Sequence, residues 1–103
     1  MNNEELNNKM AEVIGYRKGV NCWIDDVTKK GLYFKDWHPD TDIAQALMCA
    51  DKAFGKGWTI HISFYTHKLQ IFHGGRVVSL WEFEDMKGLS RAICEAIAEA
   101  VEK

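Results

Sequence analysis

The chain has 103 residues, of which 47 % are hydrophobic and 12 % aromatic, and it carries a formal net charge of −2. These values predict one packed domain, residues 1–103, with a core that needs no disulfide or metal for stability. The near balance of 13 basic and 15 acidic residues gives no electrostatic basis for binding nucleic acid or an anionic membrane.

The N-terminal segment has the signals of an amphipathic helix. Asn2 or Asn3 is suited to cap it, and acidic residues in the first turn complement the helix dipole. Its expected apolar stripe consists of Leu6, Met10, Val13 and Ile14. Gly15 provides a C-terminal end. Residues 16–40 then contain three short apolar runs broken by glycine and aspartate, which predict one short hairpin or two edge strands.

Two further helices are predicted from caps and apolar spacing. The second helix should run from about Asp42 to Phe54, with Asp40 or Thr41 as its cap. Its expected buried stripe consists of Ile43, Ala46, Leu47, Ala50 and Phe54. The last helix should follow Lys87-Gly88 and present a wide apolar face formed by Leu89, Ile93, Ala96, Ile97, Ala100 and Val101.

Residues 57–84 have the clearest pattern in the chain. Their period-2 alternation predicts three antiparallel strands joined by two-residue turns at His67-Lys68 and Gly74-Gly75. This pairing gives a core face of Trp58, Ile60, Ile62, Phe64, Leu69, Ile71, Val78 and Leu80. It also gives a mixed aromatic and hydroxyl face of Thr59, His61, Ser63, Tyr65, Gln70, Phe72, Val77, Ser79 and Trp81.

These elements together predict an α/β (α+β) fold. We expect a three-layer helix–sheet–helix sandwich around a mostly antiparallel sheet of about four or five strands, which ends in the three-strand meander. The core face of that meander should pack against the helices with wide apolar stripes. The mixed face should be covered by the first helix, which has a narrower apolar stripe, or should be covered less completely than that.

The chain resembles the phage ABA sandwich domain family of small phage and prophage proteins. The resemblance rests on the N-terminal helix NNEELNNKMAEVIG, the segment Cys22-Trp23-Ile24-Asp25, the helix DIAQALMCADK, the strand start Gly57-Trp58 and the final helix SRAICEAIAEAVEK. It spans about residues 3–102. The family pattern has a proline or threonine in the loop before the last helix, where this chain has Asp85-Met86-Lys87-Gly88. The resemblance implies a sandwich fold, a phage or prophage origin and no assigned activity, so it implies no functional residues.

Residue patterns for catalysis or metal binding are weak. The four histidines and three cysteines lack the spacing of a metal site, so no metal or cofactor is predicted. His61 and Ser63 lie on one strand face, but their Cβ atoms would be about 7 Å apart, too far for a direct hydrogen bond. We therefore rank an enzyme third among the functional classes.

The candidate binding residues are aromatic or polar and fall in two places. Trp23 and Trp37 belong to the weakly patterned segment, and the mixed face contributes His61, Ser63, Tyr65, Gln70, Phe72 and Trp81. Such residues fill cores, form protein interfaces and line ligand clefts. The sequence leaves these three readings open.

The predicted function is a non-catalytic binding module that forms a homodimer or docks a host protein. The alternative is a site for a small polar metabolite or nucleotide signal, which rests on analogy with small phage proteins that counter host defence. The polar, acidic N-terminus and the lack of an 18-residue apolar run predict no signal peptide and no membrane span. The resemblance to the phage family implies expression in the cytoplasm of a bacterial host.

Overall fold

The computed structural model describes residues 2–55 and 57–102. These residues form helices and antiparallel strands, which confirms the predicted α+β class. The elements in chain order are α1 (Asn3–Val13), β1 (Tyr16–Lys18), β2 (Cys22–Asp25), β3 (Gly31–Tyr33), a 3₁₀ helix (Phe34–Asp36), α2 (Ile43–Ala53), β4 (Trp58–Ser63), β5 (Lys68–His73), β6 (Arg76–Glu82) and α3 (Met86–Glu102).

The described strands form two three-stranded sheets, with orders β1-β2-β3 and β4-β5-β6, instead of one sheet of four or five strands. The three short runs of residues 16–40 pair with one another, because tight turns join them. The Gly19 amide donates to the Cys22 carbonyl at 2.8 Å, and the Lys29 amide donates to the Asp25 carbonyl at 2.7 Å. The predicted short hairpin is therefore extended by a third strand.

The three helices pack against one another and connect the two sheets. α3 contacts α1 and α2, and it also contacts β5 and β6, whereas α1 contacts β1. Side chains from both sheets and all three helices contribute to one core, which includes Leu6, Met10, Trp23, Trp37, Cys49, Leu69, Ile71, Leu89, Ile93 and Ile97. One face of the meander, the inner face, therefore belongs to the core.

The helix starts differ from the sequence-based expectations in two places. Asn2 caps α1 as predicted, since its side chain accepts from the Glu5 amide at 2.8 Å. Asp42 caps α2 in place of Asp40 or Thr41, since its carboxylate accepts from two amides of the first turn. α3 begins before Gly88, because the Asp85 carboxylate accepts from the Gly88 amide at 2.7 Å and so forms a cap ahead of the predicted start.

The buried stripe of α2 differs from the predicted one at a single predicted residue, Leu47. Leu47 is exposed, and Cys49 is fully buried beside Ala46 and Ala50. These three small side chains allow α2 to approach α3 closely, which the structure shows as the main helix–helix contact. Helical spacing placed Leu47 on the predicted stripe, four residues after Ile43, but close helix packing favours small side chains at the contact.

The turn between β4 and β5 is longer than predicted. Ser63 pairs with Lys68, so residues 64–67 form a four-residue connection instead of a two-residue turn. The change in register is an even number of residues, so the predicted faces of β4 and β5 are preserved. Phe64 and Tyr65 no longer belong to a strand face, and the Tyr65 side chain is 98 % exposed.

A β-bulge between β5 and β6 reverses part of the prediction for β6. The Gly74-Gly75 turn has two residues with positive φ, as predicted. Beyond it Phe72 pairs with Val77 and Ile71 pairs with Ser79, which leaves Val78 as the extra residue. Every β6 residue after the bulge therefore points to the face opposite to its predicted one.

The bulge corrects three assignments. Ser79 and Trp81, predicted on the mixed face, share the inner face with Ile71 and Leu69, their pairing partners. Leu80, predicted in the core, lies on the opposite face and is 54 % exposed. The alternation of polar and apolar residues does not predict where a single extra residue is inserted in a strand.

Candidate functional site

The face of the meander turned away from the core, here called the outer face, is the first candidate site. Its residues form three cross-strand rows: Thr59–Phe72–Val77, His61–Gln70–Leu80 and Ser63–Lys68–Glu82. The first row lies nearest the Gly74-Gly75 turn and is the most apolar. The last row lies beside the β4–β5 turn and carries both charges.

The outer face is exposed. Six of its nine side chains are exposed, namely Thr59, His61, Lys68, Val77, Leu80 and Glu82. Val77 is 52 % exposed and Leu80 54 %. The His61 ring stands edge-on to the Phe72 ring with centroids 5.9 Å apart, so it shields part of that ring. Aliphatic and aromatic groups from all three strands thus meet solvent on one surface.

The predicted binding residues of the meander are only partly brought together. His61, Ser63, Gln70 and Phe72 share the outer face, as predicted. Tyr65 lies in the turn, outside the rows. Trp81 lies on the inner face, is partly buried, and donates its indole N–H to the Ser79 hydroxyl. Its predicted place on the binding face was wrong because of the bulge.

The His61–Ser63 pair shows no catalytic geometry. The Ser63 hydroxyl oxygen accepts from the Thr66 amide at 3.2 Å, so the hydroxyl stabilises the β4–β5 turn. The His61 ring packs against Phe72. A serine nucleophile needs a base within hydrogen-bonding distance, and the contacts of these two side chains point elsewhere.

The cysteines do not supply a reactive thiolate in the core. Burial raises the pKa of the Cys49 thiol to about 12, and burial also raises the pKa of Cys94, with a smaller contribution from the nearby Cys49. Both groups are therefore protonated at neutral pH and behave as small apolar side chains. Cys22 is half-buried.

The second candidate site is a cavity between α1 and the N-terminal sheet, here called the N-terminal cavity. Its volume is about 560 Å³, and it is lined by Glu4, Asn7, Asn8, Lys18, Trp23, Phe34, Lys35 and Trp37. Trp23 and Trp37, both predicted as binding residues, are only 4 % and 3 % exposed. They belong to the core and also form part of the cavity wall.

Hydrogen bonds hold one wall of this cavity in place. The Trp37 indole N–H donates to the Asn7 carbonyl at 2.8 Å. The Asn7 amide group donates to the Asp40 carboxylate at 2.9 Å, and the Asn7 side-chain oxygen accepts from the Asp40 backbone amide at 3.1 Å. Asp40 is buried, so these bonds fix the loop after the 3₁₀ helix against α1.

Sequence reasoning missed Lys18, the cationic neighbour of Trp23. Lys18 is the cross-strand partner of Trp23, so both side chains lie on the same sheet face. The Lys18 ammonium lies 5.8 Å from the centroid of the Phe34 ring. The sequence shows a lysine directly before Gly19. Its position beside Trp23 depends on the pairing of β1 with β2, which the turn after Lys18 determines.

Two other cavities lie beside the meander. One, of about 270 Å³, lies between the inner face and α3 and has largely apolar walls that include Trp58, Ile71 and Ala96. The Trp58 ring is stacked between Phe54 and His73, with centroid distances of 4.8 and 4.1 Å. The other lies between the end of β6 and the start of α3, and four of its eleven lining residues are acidic.

The described residues contain no group of three or more histidine, cysteine, aspartate or glutamate side chains placed to hold a metal ion. No helix in the described part of the chain is long and apolar enough to cross a bilayer. Comparison with family models, curated proteins and solved structures finds no match to this chain. The resemblance to the phage sandwich family therefore stays a prediction.

Proposed function

We propose that this protein is a non-catalytic binding module that forms a homodimer through the outer face of the meander. The observation that carries the proposal is the exposure of Val77, which pairs with Phe72, and of Leu80, which the bulge places in the same row as His61. Exposed apolar groups that form a continuous patch, rimmed by polar residues, are typical of interaction sites. Scattered exposed apolar residues would need no such explanation.

The order of the rows supports a second copy as the partner. Rows one and two supply apolar and uncharged groups, and the third row supplies one basic and one acidic residue, Lys68 and Glu82. Two copies with their apolar rows in contact would bury an apolar centre and keep the charged rows at the rim, as protein interfaces do. The face has no excess of one charge that would repel a copy of itself.

The size of the face predicts a weak dimer. Three strands of about six residues, with a rise of ~3.3 Å per residue and a spacing of ~4.8 Å, present a flat area of roughly 300 Å². Stable interfaces bury about 800 Å² on each partner, so the outer face lies well below that size even with the adjoining Tyr65 turn. We therefore expect association in the micromolar range or weaker.

Sedimentation equilibrium over a wide concentration range tests the proposal. The wild-type chain should show a concentration-dependent rise in average mass toward that of a dimer. Leu80→Lys should abolish that rise, because it places a charge in the apolar centre of the interface. Val20→Lys is the matched control, since Val20 is fully exposed in the turn between β1 and β2, and it should leave the association unchanged.

Circular dichroism of the two variants separates loss of association from loss of folding. Both should retain the wild-type spectrum, since neither side chain belongs to the core. A wild-type chain that stays monomeric at every concentration would overturn the homodimer. That result would favour a partner from the host cell, which the predicted phage origin implies, as the occupant of the same face.

A further inference from the structure

We propose that the N-terminal cavity binds a small planar anion, namely an aromatic or heterocyclic ring that carries a carboxylate or a phosphate. The cavity lies on the N-terminal sheet, whereas the proposed dimer uses the other sheet, so the two proposals are independent. Its volume of about 560 Å³ falls within the range of about 300–1,000 Å³ that is typical of small-molecule sites.

Aromatic walls favour a planar ligand. Three of the eight lining residues, Trp23, Phe34 and Trp37, are aromatic. The Phe34 ring meets the Trp23 ring edge-on, with centroids 5.5 Å apart, and Phe34 remains half-buried. Part of the Phe34 ring is therefore available to a ligand, while Trp23 and Trp37 supply fixed apolar surface beneath it.

The charge of the cavity favours an anion. Its lining contains two lysines, Lys18 and Lys35, and one acidic residue, Glu4. This local excess of positive charge stands against a net charge of −2 for the whole chain. The Lys18 ammonium rests 5.8 Å from the Phe34 centroid. From there it can bond an acidic group on a ring that packs against Phe34, and such charge-assisted bonds are the stronger ones.

The wall formed by α1 is arranged before any ligand arrives. The bonds from Trp37 to Asn7 and between Asn7 and Asp40 hold the indole against the helix. A fixed wall lowers the entropy lost on binding, because fewer side chains have to be ordered. The Lys18 side chain is long and flexible, so its ammonium group can adapt to either acidic group.

Nuclear magnetic resonance of the indole N–H signals provides the direct test. The chain has four tryptophans, of which Trp23 and Trp37 line the cavity and Trp58 and Trp81 do not. Adenosine monophosphate and naphthoate are the two probes, one a heterocyclic phosphate and the other an aromatic carboxylate. At least one of them should shift the signals of Trp23 and Trp37 and leave those of Trp58 and Trp81 in place.

Two partial ligands separate the contributions of ring and charge. Adenosine carries the ring alone and inorganic phosphate the charge alone, so each should bind more weakly than adenosine monophosphate. If inorganic phosphate binds as tightly as the full probe, the ring contributes nothing and the proposal is overturned. It is also overturned if neither full probe shifts the two cavity indoles. The tighter of the two full probes identifies the acidic group.

A pair of lysine variants tests the assigned residue. Lys18→Gln should weaken binding of the better probe about tenfold, because it removes one charge-assisted bond. Lys30→Gln is the matched control, since Lys30 lies in the same sheet region, is exposed, and does not line the cavity. Equal affinities of the two variants would overturn the role of Lys18. Unchanged circular dichroism spectra confirm that both variants are folded.

Discussion

The two sheets of this protein each have three strands, yet Trp23 and Phe72, which lie in the central strands of the two sheets, are in different environments. In the N-terminal sheet Trp23 is buried, and its ring packs edge-on against Phe34 of the 3₁₀ helix. In the meander Phe72 and its neighbours Val77 and Leu80 lie on an exposed face. The difference shows that the burial of a strand residue depends on which element covers that face of the sheet. The alternation of polar and apolar residues along the strand does not predict this cover.

The largest expected effect on stability is that of replacing the buried Trp23. Trp23→Ala should lower the free energy of unfolding by about 3–5 kcal/mol, because it leaves a large cavity in the core. Tyr33→Ala in the neighbouring strand is the control, since Tyr33 is 57 % exposed, and it should change stability by no more than about 0.5 kcal/mol. Urea unfolding followed by circular dichroism measures both. Similar losses of unfolding free energy for the two variants would contradict the proposed difference between the buried and the exposed aromatic residue.

The second prediction sharpens the comparison within the meander itself. Leu69→Ala should cost about 2–5 kcal/mol, because Leu69 is fully buried on the inner face. Leu80→Ala should change stability by no more than about 0.5 kcal/mol, because the bulge turns Leu80 to the outer face. The same urea experiment applies. A large cost at Leu80 would mean that β6 has no bulge and follows strict alternation.

Local signals in the sequence were enough for much of the fold. The cap at Asn2, the positive φ at Gly74 and Gly75, and the faces of β4 and β5 could all be read from short-range patterns. Each depends on the physics of a few neighbouring residues, namely a side chain that accepts an amide, a glycine turn and a period of two.

The candidate sites could be predicted only in part, because they depend on longer-range geometry. Trp81 and Leu80 exchanged faces through one inserted residue, which a periodic pattern cannot locate. Trp23 and Trp37 were predicted as candidate binding residues, but their burial depends on packing with other elements, such as the bond from Trp37 to Asn7 of α1. Lys18 was missed because its place beside Trp23 depends on the register of a three-residue strand.

The smallest expected effect concerns the turn that joins β2 to β3 in the N-terminal sheet. The Asp25 carboxylate accepts from the amides of Val27 at 2.9 Å and Thr28 at 3.3 Å. These hydrogen bonds, that from Val27 first, hold the pKa of Asp25 below its ordinary value of 3.8. A carboxyl group with a lowered pKa in the folded state stabilises that state above its unfolded pKa, and this contribution is lost as the pH falls through the folded pKa.

Asp25→Asn tests this contribution to stability under acid. The asparagine carbonyl can still accept from the turn amides, but it has no charge to lose, so the variant should lose less stability than the wild type as the pH falls below about 4. Thermal melts at neutral and acidic pH measure the difference, and Asp51→Asn on the exposed side of α2 controls for removal of a carboxylate. If Asp25→Asn and the wild type lose the same stability as the pH falls, the charge of Asp25 does not contribute to the stability of the N-terminal sheet. The difference in stability contributions between the two sheets would then come from the burial of apolar side chains alone.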